Sequence, residues 1–143
     1  MKIKVYIDTN VLLDFIQLRK DYREAETIIS AARSGLFDAY ISTQSIIDAA
    51  YISKKDGMPF HIFRQSIQSL VAFVGVLSID WLDLAWAVEH HSGDFEDDAQ
   101  FSSAYSNVCD YFITRDIGLL KLNLSDYPMM VISPEDFVKA MTP

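Results

Sequence analysis

The sequence predicts an α/β fold in which a mostly parallel sheet is flanked by helices. Short apolar runs with strand character alternate with segments of helical spacing from one end of the chain to the other. Capping residues, glycines and prolines fall between these segments, and no repeat or low-complexity stretch interrupts them. The chain has 143 residues, so we expect residues 1–143 to form one domain.

The first half of the chain predicts two strands and three helices before the helix that starts at Pro59. The alternating run 3–7 reads as a strand that ends at Asp8, and Thr9 or Asn10 can cap the helix that follows. Gly35 ends the next helix, which carries apolar residues at helical spacing. The predicted elements are, in order, a strand at 3–7, a helix from about residue 10, a helix at 22–34, a strand at 37–41, a helix from 43 to about 55, and a helix of about 15 residues from Pro59.

The second half continues the alternation. Asp80 caps one helix, a break follows at 91–93, and Pro134 takes the first position of the last helix. The predicted elements are strands at 74–79, 111–114 and 129–132, and helices after Asp80, at 95–107 and from Pro134.

The net charge of −8 is concentrated in one part of the sequence. Between Arg64 and Arg115 there is no Lys or Arg, and this stretch contains eight of the 20 acidic residues. The remainder has 12 acids and 12 bases and is neutral. Binding of a polyanion through broad electrostatic attraction is therefore disfavoured, and the acidic segment points to metal ions or to a basic partner.

Composition also indicates the cellular setting. A single Cys excludes a disulfide framework and a cysteine-based zinc site. Lys2 and Lys4 interrupt the start of the chain too early for a signal peptide, and no apolar run is long enough to span a membrane. We expect a cytoplasmic protein with no membrane contact.

Four aspartates from separate segments are predicted to lie at one edge of the sheet. Asp8 follows the first strand, Asp48 lies in the first two turns of a helix, Asp97 lies in the first turn of another, and Asp116 follows the fourth strand. In a parallel α/β sheet, strand carboxyl ends and helix amino ends share one edge, where ligands usually bind.

Such a cluster has a specific chemistry. Carboxylates a few ångströms apart raise each other's pKa and destabilise the fold, and a divalent cation removes that penalty. Mg²⁺ and Mn²⁺ prefer oxygen ligands and can activate water and stabilise a phosphoryl group. The four acids therefore indicate phosphodiester hydrolysis.

Four short motifs in this order and spacing give the chain a family resemblance. They are VYIDTNVL at 5–12, ISTQSIID at 41–48, GDFED at 93–97 and DYFITRD at 110–116. With them the chain resembles the PIN-domain nucleases, especially the VapC-type toxin ribonucleases of bacterial toxin–antitoxin pairs. The resemblance implies a three-layer fold with a central parallel sheet of four to five strands. It also implies cleavage of single-stranded RNA with Mg²⁺ or Mn²⁺ held by Asp8, Asp48, Asp97 and Asp116, an antitoxin partner, and a homodimer.

The chain departs from the family pattern at two points. The second acid is commonly Glu in the family, whereas Asp48 is one methylene shorter and can reach a metal through a water. The last acid is often followed by a nearby Asp-Phe, whereas Ile117-Gly118-Leu119-Leu120 follows Asp116 here.

Further residues are expected to support the four acids. Thr9, Asn10, Thr114 and Asp14 are candidates for orienting the carboxylates or, for Asp14, for helping the site from the helix. Asp97 is preferred to Asp98 because it shares an inward-facing stripe with apolar residues of its helix. Glu96 and Asp94 are interpreted as charges that suit a helix amino end.

Four basic residues are candidates for contact with RNA. Arg19, Lys20 and Arg23 follow the first helix and could guide the RNA backbone. Arg115 stands beside Asp116 and could either hold phosphate or pair with a neighbouring acid.

Two other functions compete with the nuclease. One is a binding module of the same fold with a poorly assembled site, which the net charge and the short Asp48 favour. The other is a phosphatase with an aspartyl nucleophile, although that chemistry usually needs a second Asp two residues after the first, where Asn10 stands.

Overall fold

A computed structural model describes residues 2–90, 94–122 and 125–142. The strands are β1 Lys4–Ile7, β2 Asp38–Ser42, β3 Gly75–Leu77, β4 Tyr111–Ile113 and β5 Met130–Ile132. The helices are α1 Thr9–Gln17, α2 Tyr22–Arg33, α3 Thr43–Lys55, α4 Phe60–Val71, α5 Trp81–Glu89, α6 Phe95–Ser106, α7 Ile117–Lys121 and α8 Pro134–Met141.

The five strands form one parallel sheet in the order β3-β2-β1-β4-β5. After β1 the chain builds outward to β2 and β3, and it then returns to place β4 on the other side of β1. This reversal leaves a crevice at the carboxyl ends of β1 and β4, which is where open parallel sheets bind ligands. Ile7 pairs with Ile113, so the residues after them, Asp8 and Thr114, come side by side.

Two apolar clusters cover the two faces of the sheet. Alternation along β1 directs Val5 and Ile7 to one cluster and Tyr6 to the other. The first cluster includes residues of α1, α2, α3, α4 and α8, and the second includes residues of α5, α6 and α7. The predicted fold, helices on both faces of a central parallel sheet, is therefore confirmed.

Several predicted boundaries need correction. Asp8, rather than Thr9 or Asn10, is the N-cap of α1, because its extended backbone lets its carboxylate accept from the Thr9 N–H. The helix predicted from Pro59 begins at Phe60 and has 12 residues, with Pro59 as the N-cap. The five-residue α7 was not predicted, since a single turn leaves no periodic pattern. The break predicted at 91–93 lies outside the described residues.

None of the helices formed by the described residues has both the length and the apolar composition required to cross a bilayer.

Candidate active site

Asp8 lies at the centre of the acidic site and is fully buried at the end of β1. Its Oδ1 accepts a hydrogen bond from the Thr9 N–H (2.7 Å), and its Oδ2 accepts one from the Thr114 hydroxyl (2.7 Å). Burial raises the pKa of Asp8 to about 6, against the lowering effect of these two hydrogen bonds, and the charges of Asp116 and Asp94 raise it further. The Thr9 N–H and the Thr114 hydroxyl thus fix the orientation of this carboxylate.

Asp116 is tied to Asp8 through Thr114. The Thr114 hydroxyl that donates to Asp8 also accepts from the Asp116 N–H (2.9 Å). Asp116 caps α7, with its Oδ1 accepting from the Gly118 N–H (3.2 Å). The other oxygen, Oδ2, is buried and has no hydrogen-bond partner within the described ranges. This oxygen is available to a ligand.

Asp97 joins these two acids from the first turn of α6, where only 7% of it is exposed. Burial raises the pKa of Asp97 to about 9, and the charges of Asp8, Asp94 and Asp116 contribute. Asp94 is the N-cap of the same helix and accepts from the Asp97 N–H (3.2 Å). The structure therefore brings Asp97, the acid preferred over Asp98, beside Asp8 and Asp116.

Asp48 enters the site from α3 together with a residue that sequence reasoning missed. Its Oδ1 accepts from Gln44 Nε2 (2.8 Å), one turn earlier, and its Oδ2 is buried without a partner in the described part of the chain. Glu96 lines the same pocket as Asp48. The pKa of Glu96 is raised to about 8. Burial is the largest cause, followed by Asp48 and by the charges of Asp8 and Asp94. Glu96 is thus a fifth carboxyl of the site and more than a charge at a helix end.

Glu96 is hydrogen-bonded to a buried polar network centred on Gln100. Gln100 Nε2 donates to Glu96 Oε1 (3.3 Å), and Gln100 Oε1 accepts from the Tyr6 hydroxyl (2.8 Å) and the Ser45 hydroxyl (2.9 Å). The Thr9 hydroxyl lies within hydrogen-bond distance of Glu96 Oε1 (3.3 Å) and Gln100 Oε1 (3.3 Å). A glutamine one helical turn after Glu96, within an otherwise apolar and small-residue stretch, was the only hint of this network in the sequence.

The remaining predicted residues lie around this centre. Asn10 is exposed, and no hydrogen bond joins it to the acids in the residues described, because the first helical turn directs it away from Asp8. Asp14 is buried and accepts from Arg115 Nε at 2.6 Å. Arg115 also binds Glu135 (2.6 Å) and the Asp21 carbonyl oxygen (3.3 Å). Of its two predicted roles, Arg115 therefore has the one of pairing with acids.

The other three basic residues lie at or just after the turn between α1 and α2. Arg19 pairs with Asp56 at 3.6 Å, and Lys20 and Arg23 are exposed. Because Arg115 binds Asp21, this turn is held next to the loop that carries Asp116.

The site has a large unbalanced negative charge. Within the described ranges, no Lys or Arg forms an ion pair with Asp8, Asp48, Glu96, Asp97 or Asp116. Burial and the charges of neighbouring carboxylates instead raise the pKa values of Asp8, Glu96 and Asp97.

The donor set fits a hard divalent cation. The donors are carboxylate oxygens, the type that Mg²⁺ and Mn²⁺ prefer, and two of them are buried and have no hydrogen-bond partner among the described residues. In the part of the chain that the structure describes, no three Asp, Glu, His or Cys side chains are already arranged around a common point for a metal.

Solved structures of known proteins share this fold. A toxin–antitoxin complex from Klebsiella pneumoniae superposes with a TM-score of 0.66 at 18% identity, over 91% of this chain and 97% of that chain. VapBC2 from Rickettsia felis, bound to a promoter DNA fragment, gives a TM-score of 0.67 at 11% identity, over 92% and 98%. VapC20 from Mycobacterium tuberculosis, described as a Sarcin–Ricin loop cleaving toxin, gives 0.61 at 10% identity, over 76% and 86%. At these identities the likeness shows the fold.

Sequence comparison gives the family. No curated protein matches the chain. The family model described as PIN domain matches residues 4–118, a span that contains all five carboxyls of the site and four of the five strands. The chain therefore belongs to the PIN domain family.

Proposed function

We propose that the protein is a metal-dependent endoribonuclease of the VapC type, which hydrolyses phosphodiester bonds of single-stranded RNA as the toxin of a toxin–antitoxin pair. The observation that supports this most strongly is the meeting of Asp8, Asp97 and Asp116, from three separate segments, without an ion pair to any Lys or Arg that the structure describes. A buried, uncompensated carboxylate cluster is costly, and a function that recruits a cation accounts for it.

Asp8, Asp48, Asp97 and Asp116 would hold Mg²⁺ or Mn²⁺, and Glu96 stands next to them. When bound, such an ion lowers the pKa of a water and stabilises charge on the phosphoryl oxygens. The protein's own groups keep the ligands in place. Thr114 and the Thr9 N–H orient Asp8, and Gln44 orients Asp48.

The basic turn at Arg19, Lys20 and Arg23 would guide the RNA backbone toward the acids. Lys20 and Arg23 are exposed, and Arg115 holds the turn beside the loop of Asp116. A few local cations suit a short single-stranded substrate, since a protein with net charge −8 lacks the broad positive surface that a duplex requires.

An antitoxin with a basic segment would complement the acidic edge. Toxin–antitoxin complexes are among the structures that share the fold, which supports such a partner. As members of this type do, the protein would act in the cytoplasm, and a homodimer is the assembly expected of it.

The structure argues against an aspartyl-nucleophile phosphatase. The exposed Asn10 does not supply the acid that this chemistry needs.

Cleavage of a fluorescent single-stranded RNA tests the proposal. With millimolar Mn²⁺ we expect cleavage by the wild-type protein, a loss on the order of 10²-fold or more in Asp8→Asn, and no loss in Asp38→Asn. Asp38 is a suitable control because it is an exposed aspartate at the opposite edge of the sheet, where β2 begins. Equal cleavage by wild type and Asp8→Asn would contradict the proposal. Absence of cleavage by wild-type protein shown to bind Mn²⁺ would favour the binding module.

A further inference from the structure

A small pocket opens directly beside the acidic site. It has a volume of about 260 Å³ and lies between α3, α6 and the segment from β3 to α5. Asp48 and Glu96 line both the pocket and the acidic site, so whatever occupies the pocket is continuous with whatever binds the carboxylates. At about 30 Å³ per water in the liquid, this volume equals that of roughly nine waters, which is enough for one nucleobase.

The pocket combines apolar walls with one polar side. Ile79, Leu84 and Phe95 supply the apolar walls, and 53% of Phe95 is exposed. The ring of Phe95 has a flat face, and such a face stacks against any nucleobase. The polar side is formed by Gln44 and the two carboxyls.

Gln44 has a fixed orientation. Its Nε2 donates to Asp48 Oδ1 at 2.8 Å, which sets the amide so that Oε1 is the atom left to interact. Within the described residues, Oε1 accepts no hydrogen bond, and Gln44 is only partly buried. Gln44 Oε1 is therefore a free hydrogen-bond acceptor on the polar side of the pocket.

We propose that this pocket binds the nucleobase next to the scissile phosphate of the RNA, and that it prefers a base with an amine at the position where uracil has a carbonyl. This inference rests on the ribonuclease function proposed above and adds a specificity site to it. Adenine and cytosine carry an amine donor at the position where uracil carries a carbonyl acceptor. A carbonyl facing Gln44 Oε1 would leave both acceptors unsatisfied, which is how a hydrogen-bonding site rejects a wrong base.

Cleavage of single-stranded RNAs that differ at one base beside the cleaved bond tests this preference. With Mn²⁺, we expect wild-type kcat/KM to be about 10-fold higher for adenine or cytosine than for uracil at that position. Gln44→Leu should reduce this ratio toward 1. Because Gln44 also orients Asp48, its replacement can lower the rate for every substrate. The ratio between bases is not changed by such a general loss, and it is therefore the quantity to measure.

Phe95→Ala tests the stacking wall. We expect KM to rise about 10-fold for every base with little change in kcat, since stacking holds the substrate and does not touch the reacting atoms. Phe60→Ala is the matched control, because Phe60 is an exposed phenylalanine on α4 that lines a different pocket. Its KM should equal that of the wild type.

Binding of RNA tetranucleotides in EDTA, where metal-dependent cleavage cannot proceed, separates failure of the pocket from failure of the enzyme. If wild-type protein cleaves RNA but discriminates no base, and Phe95→Ala binds the oligomers as tightly as Phe60→Ala, the pocket assignment is wrong and the nuclease stands. If wild-type protein binds Mn²⁺ but cleaves no RNA, the nuclease and the assignment built on it both fail.

Discussion

Thr114 is the residue on which the geometry of the acidic centre depends most directly. One hydroxyl donates to Asp8 and accepts from the backbone of Asp116, so it sets the positions of two carboxylates from different segments. It lies at the end of β4, next to the end of β1, because of the parallel pairing of these strands.

Thr114→Val should weaken both activity and stability. The change keeps the side-chain shape and removes the hydroxyl, so Asp8 Oδ2 is left buried without a donor, at a cost of about 1–3 kcal/mol in unfolding free energy. Activity should fall about 10–100-fold, as for other groups that orient metal ligands. The pKa of Asp8 should rise, since the Thr114 hydrogen bond lowers it, and the acid limb of the pH–rate profile should move to higher pH.

Thr114→Ser retains the hydroxyl and serves as the control. We expect the serine variant to restore most of the activity and the wild-type pH profile. If the valine variant has the same pH profile as the serine variant, Thr114 does not orient Asp8.

At this scale the sequence predicted the acids better than their surroundings. The carboxyl ends of parallel strands meet, so the positions of Asp8 and Asp116 followed from the strand pattern alone. Glu96 could not be predicted in the same way. A glutamate in the first turn of a helix suits the helix dipole wherever it points, and only the packing of α6 against α1 and α3 turns it into the site.

Among the elements, the loop after β4 has a central place because Arg115 connects it to three helices. Arg115 binds Asp14 in α1, the Asp21 carbonyl before α2, and Glu135 in α8. Arg115 thereby fixes the loop between Thr114 and Asp116 against the layer of helices that contains α1, α2 and α8.

Arg115→Gln should destabilise the protein by about 3 kcal/mol. Asp14 is buried, and removal of its partner leaves an uncompensated charge, which is the costly way to break such a pair. Arg19→Gln is the matched control, since its pair with Asp56 is longer and more exposed and should be worth less than about 1 kcal/mol. Urea denaturation measures both. Equal losses would show that Arg115 does not brace the loop.

The sequence predicted those helices and strands that are long enough to show a periodic pattern of apolar residues. The helices of eight or more residues and the five strands follow one another along the chain as the sequence pattern predicted. The short α7 was missed because its N-cap is Asp116. This residue was assigned to metal binding, so it was not considered as a helix cap. The cap of α1 was misplaced for the same reason, since Asp8 is both cap and site residue.

For the molecule as a whole, the uneven charge of the sequence and the acidic site are one feature. Three of the five site carboxyls, Glu96, Asp97 and the more distant Asp116, lie in or just beyond the segment that lacks Lys and Arg. The fold adds Asp8 and Asp48 to them and supplies no ion-pair partner in the described ranges. A metal-free protein must therefore hold protons in the site.

This proton retention makes the stability of the metal-free protein fall as pH rises. The pKa values of Asp8, Glu96 and Asp97 are raised to about 6, 8 and 9, above those of an unfolded chain, so the folded state binds more protons between about pH 5 and 9. In EDTA, the urea midpoint should be lower at pH 8.5 than at pH 5.5.

Asp97→Asn should flatten this dependence, because the buried group no longer has to lose a proton. Asp38→Asn should follow the wild type, since Asp38 is exposed and far from the site. A midpoint that is constant or rises between pH 5.5 and 8.5 would show that the site carboxyls are not protonated in the folded protein.

The central claim is that carboxylates from separate segments form one site for a divalent cation, and calorimetric titration with Mn²⁺ at pH 8 tests it most directly. We predict saturable binding to the wild type and to Asp38→Asn, and a loss of affinity of at least about 10-fold in both Asp8→Asn and Asp97→Asn. Wild-type protein at 100 times its dissociation constant should gain about 2.7 kcal/mol in unfolding free energy, seen as a higher Tm. Undetectable binding by the wild type, or unchanged affinity in Asp97→Asn, would contradict the account.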